Sequence, residues 1–496
     1  MMTKNLREKV DPVNAVVAFG VWLTATVVYL LTLAPTVSFW DCGEFIAACS
    51  LLGIPHPPGT PLYVLLGRIF SIIPWSSDIG VRVNMLSAVP STFTAMFGYL
   101  VVVRILRACF TSDNSPLTRF LIYAGGVGGA FFLAFGLTNW NNSVETEVYG
   151  LSMMMIMAVI WLTLIYTENK GTARGERLML LITFIGFVGI GVHMTTFLVI
   201  PVVALAFMLK KDTPSQVWLA LGAFFVLELY LIFALSTKSG EVPFYLPALI
   251  VLLFYLFYVF SYEKIPSVYM YVGAGFLLAV IPIIPVGLNA IMAASGSSIN
   301  VPMDVFSTLS LIFFVALMLF GLFLSYKYFL SQKHTERDRH YIIAAGFVLT
   351  TAVMTVALYA IHGYHAFIVC SVVLGALLLF FLRHWLNWLI LLAFALASLV
   401  MVNVELFFIG AAAGLVLITV AGLVFKLPGW RNALLIILVA VLGHSVHLFI
   451  PIRSAQHPRI NENNPSQSLK ATIDFIERRQ YIRQSMIERM FKRRGE

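Results

Sequence analysis

Apolar residues in this chain neither alternate nor mark one stripe of a helix. They run nearly unbroken for about 17 to 25 residues, stop at a short polar stretch and begin again. A run of that length crosses a ~30 Å hydrocarbon core as one helix, and a helix satisfies its own backbone there, whereas a barrel would show short alternating strands. The runs predict spans at 13–33, 84–103, 119–138, 148–167, 178–192, 194–209, 216–235, 244–262, 268–290, 304–329, 341–361, 364–382, 385–402, 405–425 and 432–450. The pattern therefore gives an all-α integral membrane protein of about fifteen transmembrane helices. Two pairs, around His193 and around His362 to His365, are short enough that one bent helix could replace each. The first run is too long for a signal-peptide core and lacks a small-residue cleavage site, so it reads as a retained span.

Composition agrees: 60% of residues are hydrophobic and 11% charged, which excludes a soluble globular domain. The charges then set orientation. With the N-terminus cytoplasmic, nineteen of the 32 Lys and Arg fall in segments placed inside, among them Arg104, Arg107, Lys170, Arg174 and Arg431. Only Arg68, Arg82 and Lys238 fall in outer loops, and ten follow Pro451. Merging either short pair would scramble this asymmetry. The net charge of +9 is thus a topology signal, and it gives no reason to expect nucleic acid as a partner. The organisation expected is a membrane domain over 1–450, with a first outer loop at about 34–83, and a short basic extracytoplasmic tail over 451–496.

Acidic residues show the reverse preference. Asp41, Glu44, Asp78, Glu145, Glu147, Glu241, Asp304 and Glu405 all map to the outer face, which makes that face the expected active face. Glu228 falls within an apolar run and is expected to be neutral or paired. The glycines at 125–129 and 186–191 sit inside apolar spans, where they permit close helix packing. Four cysteines, Cys42, Cys49, Cys109 and Cys370, form neither a metal spacing nor a disulfide framework, and no metal is indicated.

The first outer loop carries the densest chemistry. Asp41 and Glu44 stand three apart, so on a helix they share a face, close enough to push their proton affinities apart. One then stays ionised as a base while its partner hydrogen-bonds a substrate. His56-Pro57-Pro58-Gly59-Thr60-Pro61 follows as a stiff turn that holds polar groups in place. The structural alternative is a re-entrant plug whose carboxylates cap helices.

The run W-D-C-G-E-F-I-A-A with H-P-P-G-T-P-L-Y after it resembles the first-loop signature of multi-spanning GT-C glycosyltransferases. It is similar to glycosyltransferase family 117, whose animal member is an O-mannosyltransferase acting on plexin-type receptor domains. Glu145-Thr-Glu147-Val-Tyr149, Gly189-Ile-Gly191-Val-His193, Pro451-Ile-Arg453-Ser454 and Asn461-Glu-Asn-Asn464-Pro465 extend the resemblance from about residue 13 to about residue 485. It implies a GT-C-like bundle with a catalytic first loop. It also implies a polyprenyl-phosphate sugar as donor, mannose being the first candidate, and inverting transfer to a protein Ser/Thr hydroxyl at the outer face. Asp41 matches the family's essential acid and is expected as the base, with Glu44 as its partner or an acceptor ligand.

The departing phosphate needs cations or donors, for which the candidates are Arg453, His56, Arg68 and His193. Glu145, Glu147 and Tyr149 are candidates for binding the acceptor or shaping the site. No cofactor is expected beyond the lipid-linked donor; the partners expected are that donor, an acceptor protein or glycan, and membrane lipid. The competing readings are transfer to a lipid or glycan, and a flippase in which the same residues form a gate. A bacterial cytoplasmic membrane is the expected location, with the endoplasmic reticulum as alternative. Chains of this family often continue past the last span into a soluble domain. Here the segment from Leu469 to Arg494 mixes Ile, Phe, Tyr and Met with Arg and Lys, which suits an amphipathic helix on anionic headgroups or a solvated tail.

Overall fold

The computed structural model describes residues 11–110, 115–210 and 364–481, with scattered positions between 212 and 361. The spans expected at 216–235, 244–262, 268–290, 304–329 and 341–361 lie wholly or largely outside the described residues. Among the described residues there are helices and no strands, and six helical stretches are long and apolar enough to cross a membrane. This is an all-α membrane protein.

The elements are α1 (Pro12–Leu31), α2 (Cys42–Leu51), α3 (Pro61–Ile72), α4 (Ile79–Cys109), α5 (Pro116–Phe135), α6 (Leu137–Val144), α7 (Val148–Asn169), α8 (Ala173–Gly189), a 3₁₀ turn (Met194–Val199) and α9 (Ile200–Met208). After the scattered positions come α10 (Tyr364–Leu382), α11 (Trp388–Ser398), α12 (Val404–Val424), α13 (Trp430–His444), α14 (Phe449–Ser454) and α15 (Leu469–Ile476). The expected pair around His193 is two pieces, broken where His193 leaves the helix in extended conformation. Helices α2 and α3 are additions that hydropathy alone does not show, being short and lying inside the first loop.

The chain divides into two compact units. One, Asp212–Trp385 with Arg483–Glu496, contains α10, and within it Glu228 accepts a 2.7 Å hydrogen bond from Ser371 Oγ, the pairing a carboxyl in an apolar run requires. The other, Met1–Lys211 with Leu386–Ile482, holds every candidate site residue.

In that unit α4 is the central post. Its small residues Ala88 and Ala95 meet Ala18, Ala25, Ala130 and Ala134 of α1 and α5, so the backbones approach closely. Tyr29 uses its polar end inside this core, donating to the Ala134 carbonyl at 2.8 Å. A second core joins Phe45 and Cys49 of α2 and Tyr63 of α3 to Leu86 of α4 and Leu151 of α7, which seats the first loop on the bundle. The fit there is tight: a Cβ at Gly67 of α3 would fall on Cys49 Sγ and lie 2.8 Å from Cys49 Cβ. Gly67→Ala is therefore expected to destabilise the protein by about 1–3 kcal/mol through overpacking. The readout is a lower unfolding midpoint in detergent, and an unchanged midpoint would show that α2 and α3 part freely.

Two buried polar residues of α4 bring the first and second loops together. Asn84 donates to the carbonyls of Ala34 (2.9 Å) and Thr36 (3.1 Å) and accepts from Thr146 Oγ1. Ser87 accepts from the Glu147 N–H at 3.0 Å and donates to the Glu147 carbonyl at 2.9 Å. Asp78, an acid of the outer face, is structural: it caps α4 by accepting from Gly80 and Val81 N–H and also takes the Thr36 hydroxyl.

The segment after α13 folds back over the first loop. Ile54 N–H donates to the Ile460 carbonyl (2.8 Å) and its carbonyl accepts from Glu462 N–H (3.0 Å), while Ile54, Ile450 and Phe475 form a small buried cluster. Phe475 also lies where a Cβ on Gly59 would stand, and Gly59 has φ +80, so the Pro-rich turn requires glycine there twice over. Of the segment expected as an amphipathic helix or a solvated tail, Leu469–Ile476 forms α15, and residues 482–496 lie outside the described residues.

Candidate functional site

Asp41 stands at the N-cap of α2, yet its side chain makes no capping bond. It is exposed and, among the described residues, unpaired. The plug reading, in which this carboxylate serves the helix end, does not describe it. Phe39 and Trp40 just before it are 88% and 93% exposed, as aromatic residues at a membrane–water boundary are.

Glu44, one turn into α2, is committed elsewhere. Its Oε2 is 2.7 Å from His56 Nδ1 and its Oε1 accepts the His56 backbone N–H at 2.6 Å. The Pro-rich turn delivers His56 to this position, with its ring against Phe45 at 5.4 Å. Burial pushes the Glu44 carboxyl up, but the two hydrogen bonds and the charge of His56 outweigh it, and the carboxyl sits below its ordinary value. The Glu44 bond likewise raises His56, against burial. With Nδ1 donating to a carboxylate, Nε2 of His56 is free to face a substrate.

Asp41, Glu44 and His56 offer one ligand atom each within 4.8 Å of one another, a spacing that would suit a divalent cation. The sequence shows no such group, because His56 reaches the carboxylates only through the fold. Here both Glu44 oxygens accept from His56, beside the Asp41 carboxylate.

The carboxyl whose proton affinity is pushed up is Glu147, not Glu44. It is buried at the start of α7, with Oε1 4.0 Å from Cys42 Sγ. Burial, then the charges of Asp41 and Glu145, lift it to about 7. Cys42 itself is driven up to about 12, by burial first and then by Glu145 and Glu147, which leaves it a thiol rather than a nucleophile. Glu145 is half-buried beside this pair.

As pH rises through about 7 the site changes in one direction: Glu147 goes from neutral to negative, and His56 loses its positive charge above its raised value. A phosphodiester ligand keeps one negative charge throughout this range. Its affinity is expected to fall about tenfold between roughly pH 6 and pH 8, and Glu147→Gln is expected to flatten the fall. Calorimetric titration of a lipid phosphodiester at several pH values measures it; affinity that rises with pH would contradict this assignment.

Tyr149, 41% exposed, packs its ring against His193 at 5.1 Å. His193 Nδ1 accepts from Thr195 N–H (3.3 Å), so the neutral ring carries its proton on Nε2. Burial first, then the charges of Arg478 and His56, push His193 down to about 4, so it is neutral. The Gly191 carbonyl accepts from Leu62 N–H at 2.9 Å, which pins the Gly-x-Gly-x-His stretch to the start of α3.

The two arginines expected at phosphate both donate to backbone carbonyls at the end of α2. Arg453 donates through Nε to the Leu52 carbonyl (2.7 Å), through Nη2 to Leu51 (3.2 Å) and through Nη1 to Gln456 (2.6 Å). Arg68 Nη1 donates to the Ser50 carbonyl. Both therefore satisfy the open carbonyls at the C-terminal end of α2, where positive charge also suits the helix dipole. Their contribution is to hold the helix that bears Asp41 and Glu44. Sequence reasoning missed Arg478, which the tail carries to this end of the bundle; nothing in its Arg478-Arg479 context distinguishes it from a tail charge.

A cavity of about 1230 Å³ is at the other end of the bundle, lined by Phe19, Trp22, Trp161, Arg104, Glu168 and Arg174. Glu147 and Glu168 lie at opposite ends of α7, about 30 Å apart by helix rise, so this cavity is separate from the acidic cluster.

Fold and site together define a multi-spanning, all-α membrane protein with the Asp41, Glu44, His56 and Glu147 cluster at one end of the bundle. Comparison with known proteins narrows the class. Residues 41–216 match the family described as "Protein O-mannosyl-transferase TMEM260 N-terminal domain". The chain is 28% identical over 192 residues to "Protein O-mannosyl-transferase tmem260" of Dictyostelium discoideum, covering 36% of this chain and 22% of that protein. It is 30% identical over 159 residues to "Protein O-mannosyl-transferase TMEM260" of Mus musculus, covering 32% of this chain and 20% of that protein. These matches bear out the resemblance to an O-mannosyltransferase-like family, over a stretch that contains Asp41, Glu44, His56, Glu147 and His193. The chain spans about a fifth of the length of the curated relatives it matches. No solved structure matches.

Proposed function

We propose that the chain is an inverting glycosyltransferase of GT-C type, moving a sugar, mannose first, from a polyprenyl phosphate to a protein Ser/Thr hydroxyl. The observation that carries this reading is the free Asp41 carboxylate beside the Glu44–His56 pair. The names of the relatives support mannose as the sugar and a protein as the acceptor.

The chemistry balances with this chain's own groups. The acceptor oxygen attacks the anomeric carbon while its proton passes to the Asp41 carboxylate. The bond from that carbon to the phosphate oxygen breaks, and its electron pair leaves on the phosphate, giving polyprenyl phosphate. Attack opposite the leaving group inverts the carbon. Glu44 holds His56, and His56, when protonated, places a positive N–H near the charge that develops on phosphate. Phe39 and Trp40 suit a site loaded from lipid. The distribution of Lys and Arg supports an extracytoplasmic site, in a bacterial cytoplasmic membrane or, as the alternative, that of the endoplasmic reticulum.

The test is transfer from polyprenyl-phosphate mannose, and a panel of other lipid-linked sugars, to native proteins in proteoliposomes. Product that carries labelled sugar on Ser or Thr supports the reading. Intact protein that moves no sugar from any donor overturns it in favour of lipid translocation.

A further inference from the structure

A leaving phosphate needs a fixed positive charge, and the arginines around the loop end can be sorted by what they already hold. Arg68 and Arg453 are bound to carbonyls of α2. Arg82 donates to the carbonyls of Ser76 (2.5 Å) and Ser71 (3.1 Å). Arg479 is paired with Asp474 at 2.5 Å and Glu477 at 2.7 Å. Arg459 and Lys470 are exposed.

Arg478 differs from all of these. It is half-buried, it has no carboxylate partner among the described residues, and its Nε is buried without any hydrogen-bond acceptor. Leaving a guanidinium N–H buried and unsatisfied costs free energy unless a ligand supplies the acceptor. Its Nη1 lies 3.4 Å from Met194 Sδ, next to His193, and its plane is 5.0 Å from the Tyr481 ring. With Pro58, Met194, His447 and Glu477, whose carboxylate is held by Val404 N–H and Arg479, it lines a cavity of about 100 Å³. That is space for an anion about the size of a few waters, at ~30 Å³ each.

The chain holds Arg478 there deliberately in the physical sense that its neighbours fix it. Arg478 has φ +57, a left-handed conformation that non-glycine residues keep only when their surroundings impose it. Glu477 on one side accepts from Val404 N–H at the start of α12 (2.9 Å), and Arg479 on the other is ion-paired. Pro58 belongs to the turn that carries His56, and Met194 follows His193. The two rings each keep an Nε2 with no partner among the described residues, and the charge of Arg478 is near enough to both to lower their proton affinity.

We infer that Arg478 is the anion-binding residue of this site and receives the phosphate of a lipid-linked donor, with His56 and His193 as accompanying donors. The inference rests on the transferase reading for the identity of the lipid and on the unpaired guanidinium for the phosphate. It makes the segment after α13 part of the site.

The test is equilibrium binding to the full chain in nanodiscs at one pH, with polyprenyl monophosphate, the matching polyprenol and inorganic phosphate as probes. Wild type, Arg478→Gln, Arg478→Lys and, as a control for a tail charge, Arg459→Gln are compared, with unfolding midpoints showing that each is folded. Expected is a preference for polyprenyl phosphate over polyprenol that Arg478→Gln reduces about ten- to hundredfold, that Arg478→Lys partly restores and that Arg459→Gln leaves intact. A phosphate preference unchanged in Arg478→Gln overturns the inference while sparing the donor reading. Inorganic phosphate binding that depends on Arg478, without preference for the lipid form, keeps the anion site and overturns the lipid donor. Absence of either phosphate at wild type overturns both.

Discussion

Asp41→Asn is expected to lower sugar transfer by about 10² to 10⁴, the range spanned when a general base is removed. Asn keeps the size of Asp and its place at the head of α2, but it cannot take the acceptor's proton. The substitution isolates chemistry because the wild-type side chain makes no capping bond for the helix to lose. The unfolding midpoint should therefore stay within about 1 °C, as for an exposed side chain with no native partner. Donor binding should also survive, and removal of one negative charge from an anion site should if anything tighten it. The measurement is initial transfer rate in proteoliposomes beside a donor-binding isotherm. Transfer within about threefold of wild type would mean that the base is another group, and Nε2 of His56 would be the next candidate.

Glu44→Gln and His56→Asn are each expected to lower turnover by about ten- to hundredfold, and the double variant by no more than the worse single one. The reason is geometric. Glu44 accepts two hydrogen bonds from one residue, fixing both the ring and the backbone of His56. Gln can accept through one oxygen only and turns an N–H₂ toward the other donor, so the ring loses its orientation and its preferred tautomer.

A role confined to stability would lower yield and leave the pH profile alone, whereas this role moves it. Glu44 raises the His56 value in the wild type, so Glu44→Gln lowers it, and the loss of the positive charge then begins at lower pH. Donor affinity in Glu44→Gln should start to fall earlier on the pH axis than in the wild type. Additive losses in the double variant, or a profile that does not shift, would separate the two residues and return Glu44 to a direct role at the substrate.

Particular residues show how far the sequence could be read. The six long spans and the break at His193 follow from hydropathy and its interruptions, which are local properties. Asp41 and Glu44 follow from spacing, since three residues on a helix share a face. His56 is legible as a stiff turn, yet its partner is not, because choosing Glu44 over Asp41 depends on where the Pro-rich segment returns to α2. The phosphate candidates read from sequence were Arg453, His56, Arg68 and His193, and both arginines donate to backbone carbonyls of α2. A guanidinium that caps carbonyls and one that faces a ligand have the same sequence signature, and only the acceptors within reach tell them apart.

The sequence by itself determined the solvent and the class of this protein. Runs of apolar residues have no other stable partner than lipid or one another, and their length sets the helices. It also determined the chemistry available at the first loop and the family that loop resembles. The tertiary structure alone decided which groups meet: Glu147 beside Cys42, Glu44 on His56, and Arg478 from the far end of the described chain beside Met194. Those encounters join residues from 12 to 284 positions apart. They are set by the packing of α2, α4, α7 and the returning tail, and a proton affinity or a free charge is a property of such neighbours rather than of the residue that carries it.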